Sequence, residues 1–502
     1  MKFIQGHNRN QINLFPVSLD QSIDPDNEVR IIDLFVDSLS IKDYGFRTDY
    51  IENGRPAYHP SDLLKLFIYG YMNKVRSTRD LEKECKRNIE VMWLLKYLRP
   101  DHNTIANFRK DNEKAIRKVF RATVRIAKHF DLIGGKLIAG DSTKLRAQNS
   151  KKNNYNQAKI DRHIAYIDNK LEEYTRALAE NDGDNQQIIQ DEIKKQQQRK
   201  DNYKDLEKQL QASGEKQISI SDPESRQIMV RNNITEVAYN VQTTVDAKNN
   251  IPIDYKVTNE NDSKAMGDMV RRTKSILGTN EFTVLYDKGF HTGSELKTAQ
   301  DLGVETIVAI PKLPSTSQAP NHDYNYEHFI YDKESDTYTC PQGQVLRTNG
   351  SWYKQRSSTG SISWFKQYKT KACKTCPSRS QCTRSEKERL IQRSEFAEYY
   401  ERNLINTLEK EHLYKRRQAI VEHPYGTIKR QWGFSYIITK KGMKRASSDV
   451  GFMLIAYNLK RIGNILTKDR LMEYLRILFS SFLNLFGVNF SQISEKGKFG
   501  LA

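Results

Sequence analysis

Lys136-Leu137-Ile138-Ala139-Gly140-Asp141-Ser142-Thr143 is where the sequence changes period. Upstream, Leu63, Leu64, Phe67, Ile68 and Tyr71 recur at helical spacing behind Pro60, a residue suited to a first helical turn. From Lys136 a short apolar run closes on an acid and then on small, turn-forming residues, the pattern of a buried strand that ends at a sheet edge. Further strands are expected at residues 239–246, 251–257, 282–287 and 306–311, with helices around 404–420 and 448–466. Strands and helices interleaved in this way predict an α/β chain, a mixed sheet flanked by helices over residues 136–466.

On the N-terminal side, residues 1–53 read as an arm ending in one amphipathic stretch, 29–39. Residues 54–130 read as an all-α domain of short helices. Ser77 or Thr78, Asn88 and Asp101 are placed to cap three of them, the last carrying Thr104, Ile105, Asn107, Phe108, Arg109 and Lys110. Such a module either presents polar side chains to a nucleic-acid groove or is an ordinary bundle with its charges in solvent. Two insertions interrupt the α/β region. In 157–215 the apolar positions Ile160, Ile164, Ile167, Leu171, Tyr174 and Leu178 step by four and three and a Gln/Lys-rich helix follows, which predicts a helical hairpin or a coiled coil. Residues 313–400 are basic, loop-rich and contain four of the five cysteines, and 467–502 form a helical tail in which 477–490 read as a buried helix.

Charge narrows the classes of partner. The 502 residues carry a net +19. Residues 54–130 hold 18 Lys/Arg against 8 Asp/Glu, 342–400 hold 12 against 4, and 401–470 hold 15 against 6. Separate basic blocks suit surfaces that face a polyanion, because each phosphate neutralised releases condensed counterions. At 37% apolar and 28% charged residues, bulk disorder is excluded. The N-terminus turns polar too soon for a secretory signal, and the most apolar run is too short to span a bilayer, so a cytoplasmic protein without a membrane partner is expected.

Three acids stand out for chemistry. Asp141 and Asp287 each end an apolar run, where side chains from neighbouring strands converge at a sheet rim. Glu422 lies in Arg417-Gln418-Ala419-Ile420-Val421-Glu422-His423-Pro424-Tyr425-Gly426, behind a helical run. Hard divalent cations prefer such oxygen ligands, and two of them can drive an in-line displacement at phosphorus. Asp246 precedes Ala247-Lys248-Asn249-Asn250, a hairpin signal that accounts for it by turn chemistry. Asp262 follows no comparable strand, and both are left outside the trio. Cys340, Cys373, Cys376 and Cys382 supply the four thiols of a closed structural Zn²⁺ site, with free or redox-active thiols the alternative. Trp352 and Trp364 nearby are either base-stacking residues or local core.

Four blocks in order, Gly140-Asp141-Ser142-Thr143, Tyr239-Asn240-Val241-Gln242-Thr243 leading to Asp246, Tyr286-Asp287-Lys288-Gly289-Phe290, and Val421-Glu422-His423-Pro424-Tyr425-Gly426-Thr427-Ile428-Lys429, resemble bacterial insertion-sequence transposases of the DDE class. The likeness runs from about residue 55 to 465. It implies an RNase H-like catalytic domain, and Asp141, Asp287 and Glu422 as catalytic ligands of two Mg²⁺ (or Mn²⁺) ions. It also implies that Tyr414, Arg417 and Lys429 contact phosphates near the cut; Arg109 and Lys110 are expected to contact DNA as part of the basic helical module. One spacing departs from the family pattern: four residues separate Arg417 from Glu422, where the family has three. The implied partners are double-stranded DNA, as transposon ends and target, and a second copy of the chain in a paired-end complex near the nucleoid. The implied reaction is cleavage at terminal inverted repeats and strand transfer. Cutting without joining, or DNA binding by a catalytically retired regulator, are the alternatives.

Overall fold

The computed structural model describes residues 18–49, 56–180, 186–231, 234–312, 314–315, 318–356 and 362–485. Its first part is helical: α1 (Glu28–Asp37), α2 (Pro60–Met72), α3 (Thr78–Arg87), α4 (Ile89–Leu94), α5 (His102–Asp111) and α6 (Glu113–His129). The starts follow from capping chemistry. Asn27, Ser77, Asn88 and Asp101 each accept a backbone N–H of the first turn they precede, and Pro60 stands at the start of α2. These side chains satisfy donors that the helix itself leaves unpaired.

Next come β1 (Leu137–Arg146), β2 (Asn154–Tyr155), α7 (Gln157–Glu180), α8 (Gln186–Ser213), β3 (Ile218–Ser219), β4 (Arg226–Arg231), β5 (Ile234–Asp246) and β6 (Ile251–Thr258). Then follow α9 (Met266–Leu277), β7 (Thr283–Tyr286), α10 (Gly293–Asp301) and β8 (Glu305–Val308). The main sheet runs β4-β5-β1-β7-β8, with β6 also paired to β5. β1 is antiparallel to β5 and parallel to β7, and β7 is parallel to β8, so the sheet is mixed. The α7–α8 pair is antiparallel: Gln157 bonds Glu207 near one end and Lys200 pairs with Asp168 further along.

Residues beyond β8 build two small sheets from β9 (Ile330–Asp332), β10 (Thr337–Thr339), β11 (Val345–Arg347), β12 (Trp352–Arg356), β13 (Ile362–Tyr368) and β14 (Ile391–Ser394), with α11 (Arg379–Cys382) between the last two. The described residues close with α12 (Ala397–Glu409), α13 (Glu411–Tyr425), a π-helical turn Gly426–Gln431, α14 (Met443–Ile465) and α15 (Lys468–Leu485).

The pleat sorts the two faces of the sheet. Ile138 and Val284 face a large core shared with α6 and α14, whereas Ala139, Val245, Leu285 and Ile307 face Ile420 and Val421 of α13. From Ala446 to Leu459 every residue of α14 is buried, so it is the central helix of the molecule rather than a surface one. Its Asn458 donates to Thr123 of α6 and to the carbonyl of Pro252 in β6, tying helix to sheet.

The first and the last described α-helices join this core. α1 buries Ile32, Phe35 and Val36 against α2 and α15, and α15 contributes Leu471, Met472 and Leu475. The expected burial of 477–490 is corrected at its start, since Ile477 is 56% exposed while the buried residues of α15 are Leu471, Met472 and Leu475; the side chains of 481–485 lie outside the described ones. Residues 486–490 lie outside the described residues. No described helix is long and apolar enough to cross a membrane.

Candidate active site

The register of β1 against β7 sets the geometry. Ala139 pairs with Leu285, and both side chains face α13. Asp141 stands two residues further along β1, on the same face as Ala139, and Asp287 follows directly after the last residue of β7, at the start of the next turn. The Asp141 carboxyl is pushed up from the usual carboxylate range, first by burial and further by the charge of Asp287, while Arg417 pulls it down. Its Oδ1 accepts the backbone N–H of Ser142 at 2.7 Å, and its Oδ2 lies 3.3 Å from Nη1 of Arg417. That contact is an ion pair without hydrogen-bond alignment, and the guanidinium nitrogen is otherwise buried and unpartnered. The Oδ1 of Asp287 accepts the N–H of Gly289 at 2.8 Å and caps the turn after β7.

Gly140 is required where it stands. A Cβ there would lie 2.0 Å from the ring of Tyr286, which crosses over β1 on the face opposite the acids. Tyr286 is fully buried and its hydroxyl finds no hydrogen-bond partner. The absence of a side chain at Gly140 therefore lets the Tyr286 ring of the neighbouring strand lie over β1.

Helix α13 supplies the third acid. Ile420 and Val421 press it onto Ala139 and Leu285, and Tyr414 packs at the margin of the same cluster. From this face Arg417 reaches Asp141. One turn past Val421, the hydroxyl of Tyr425 bonds Thr243 at 2.6 Å and the backbone oxygen of Asp141 at 3.2 Å, pinning the helix to β5 and β1. Pro424 inside the helix lacks the N–H that would reach residue 420, and the chain widens at once into the π-helical turn. That turn carries Lys429, whose Nζ donates to the Thr143 hydroxyl at 2.9 Å. Glu422 is exposed on the flank of α13, where Gln418 donates to its Oε1 at 2.8 Å. The oxygens of Asp141, Asp287 and Glu422 do not all fall within 4.8 Å of one another. Among the described residues, His322, Glu327 and His328, all exposed, form the group of potential ligands that does.

Asp246 accepts the N–H groups of Gly134, Gly135 and Lys248, and is a turn residue. Asp262 reaches the sheet on the face opposite Asp141, where Lys144, Asn240 and Gln242 hold it. Its carboxyl stays low despite burial because Lys144 and these amides favour the charge. Arg109 is corrected: it is 5% exposed, turned inward, and donates to the Tyr71 hydroxyl and the carbonyl of Arg76. A buried guanidinium bonded in this way is not presented to a phosphate. Lys110 beside it reaches the surface, near Asn107 and Asp111. Sequence reasoning missed Tyr425 as a positioning group, although its place one turn after Val421 was the available signal.

Two family models match the chain. Residues 17–111 match a transposase domain (DUF772), and residues 339–463, which include α13 and Glu422, match a transposase DDE domain. No curated protein matches. Among solved structures, a cryo-EM structure of the piggyBac transposase synaptic complex with hairpin DNA aligns over 91% of this chain and 79% of that one, at 11% identity and a TM-score of 0.28.

Proposed function

We propose that this chain, a DDE-class transposase, cuts DNA at the ends of an insertion sequence and joins the freed 3′-hydroxyl to target DNA through Asp141, Asp287 and Glu422. The observation that carries the reading is that Asp141 on β1 feels the charge of Asp287, which follows the neighbouring parallel strand β7, beneath the helix that bears the third acid.

The donor set fits a hard divalent cation, being all oxygen, with a buried carboxylate beside a second one and a single arginine opposing the repulsion. Two Mg²⁺ or Mn²⁺ ions held there, with phosphate oxygens completing their shells, would activate the attacking oxygen and stabilise the leaving one. The protein's own groups do the rest. Arg417 neutralises Asp141 in the metal-free state and offers its fork to a phosphate once that acid is otherwise engaged. Tyr425 fixes α13 against both strands, so the flank carrying Glu422 keeps its height relative to Asp141. Lys429 supplies a point charge at the rim, and Tyr414 borders the same face. The RNase H-like arrangement, the terminal-repeat specificity and the pairing of two chains on two ends belong to this proposal. So does a place in the cytoplasm beside the nucleoid.

The test is a nicking and joining assay on duplex oligonucleotides that carry the element's ends, with Mg²⁺. Wild-type protein nicks and then joins. Asp141→Ala, Asp287→Ala and Glu422→Gln each lower nicking by roughly three orders of magnitude, about 4 kcal/mol of activation free energy, and leave retention on the duplex unchanged. Nicking without joining identifies a nuclease instead, and full activity in any of the three variants removes that acid from the site.

A further inference from the structure

The strongest unassigned cluster lies in the small sheets after β8. Cys340 follows β10 in a hairpin turn closed by the N–H of Gly343 on the Cys340 carbonyl, with Gly343 at φ +74°. Cys373 and Cys376 bracket a second tight turn, where the N–H of Cys376 meets the carbonyl of Cys373, and Cys382 closes α11. All four are free thiols, partly buried, and all four line one cavity of ≈ 30 Å³. The fifth cysteine, Cys85, is buried alone in the helical part.

We infer that this cavity is a structural tetrathiolate site for Zn²⁺, closed by Cys340, Cys373, Cys376 and Cys382. Two turns and a helix end deliver the thiols from separate segments, as a closed four-coordinate site requires. A tetrahedron with Zn–S near 2.3 Å sets its sulfurs about 3.8 Å apart, whereas no three of these sulfurs lie within 4.8 Å of one another. The metal draws them inward across the cavity. Binding releases the thiol protons to solvent and leaves a dianionic centre. Arg379 and Arg389 line the same cavity, and the Nε of Arg389 is buried without a partner, an N–H free to meet a metal-bound sulfur. The local core of five buried residues, Phe329, Tyr338, Leu346, Tyr368 and Ile391, is small, so a metal clasp fixes what packing alone does not.

The test uses the full chain, purified without an affinity tag or chelator and read by elemental analysis, independently of DNA cleavage. One equivalent of zinc per chain is expected. In Cys373→Ser/Cys376→Ser it falls below about a tenth of an equivalent, and in His322→Ala/His328→Ala it is retained. Replacing zinc by Co²⁺ in the unaltered protein yields thiolate-to-metal charge-transfer absorption and tetrahedral visible bands, which needs no variant to fold. Zinc lost with the histidines rather than the cysteines overturns the assignment. So do a cobalt spectrum without thiolate bands and four thiols that react freely in native, metal-free protein.

Discussion

Three influences set the charge on Asp141: burial and the carboxylate of Asp287 oppose ionisation, and the guanidinium of Arg417 supports it. Because the folded-state pKa is raised, this group favours the fold most below the ordinary aspartate range, and its contribution is lost as pH rises through the raised value. In chelator, the melting temperature of wild type relative to Asp141→Asn therefore declines across that window, and Arg417→Gln moves the decline to higher pH. A difference that grows with pH contradicts the assignment. Gly140→Ala forces a Cβ into the Tyr286 ring, and a loss of at least about 1–3 kcal/mol is expected in urea unfolding. Both strand-ending acids were legible because an apolar run that stops on Asp marks a rim. Their closeness, felt as the charge of Asp287 on Asp141, was not, since strand pairing is a property of two strands and each was read alone.

At the scale of elements, the buried polar knot on α14 binds the N-terminal helices to the rest. Asp449 accepts from Tyr71, from Arg76 at 3.5 Å and from the N–H of Ile438 at 2.8 Å, and is itself fully buried. Asp449→Ala strands the Arg76 cation, a change that costs about 3–5 kcal/mol and is measurable by chemical denaturation. Arg109 donates to the same Tyr71 and so belongs to this buried knot rather than to the surface. With few apolar residues, α5 gives no clear inward face until its neighbours are known. The α7–α8 pair is the opposite case, burying few side chains, chiefly Ile160, Ile167, Gln196 and Leu210. Hydrogen exchange should be fast along its outer turns and slow throughout α14, and equal protection of the two would refute that contrast. The π-helical turn after Pro424 was not readable from spacing, because it arises from a missing N–H and from packing together.

Across the whole molecule, one core runs from α1 through the sheet to α15, so the basic N-terminal helices are anchored to the same body as the acidic rim. Separate counts of charge along the chain revealed the basic blocks but not this shared core, which depends on contacts hundreds of residues apart, such as Tyr71 with Asp449. If those blocks hold phosphates, retention on end-bearing duplex should fall steeply as salt rises, with the same slope for Asp141→Ala as for wild type. A salt-independent interaction would exclude a phosphate-led interface. The central claim is that Asp141, Asp287 and Glu422 share divalent ions, and anomalous diffraction from crystals soaked in Mn²⁺ with end-bearing DNA tests it most directly. The account predicts manganese density between Asp141 and Asp287 with Glu422 drawn into its shell; density confined to His322, Glu327 and His328, or none at the rim, would contradict it.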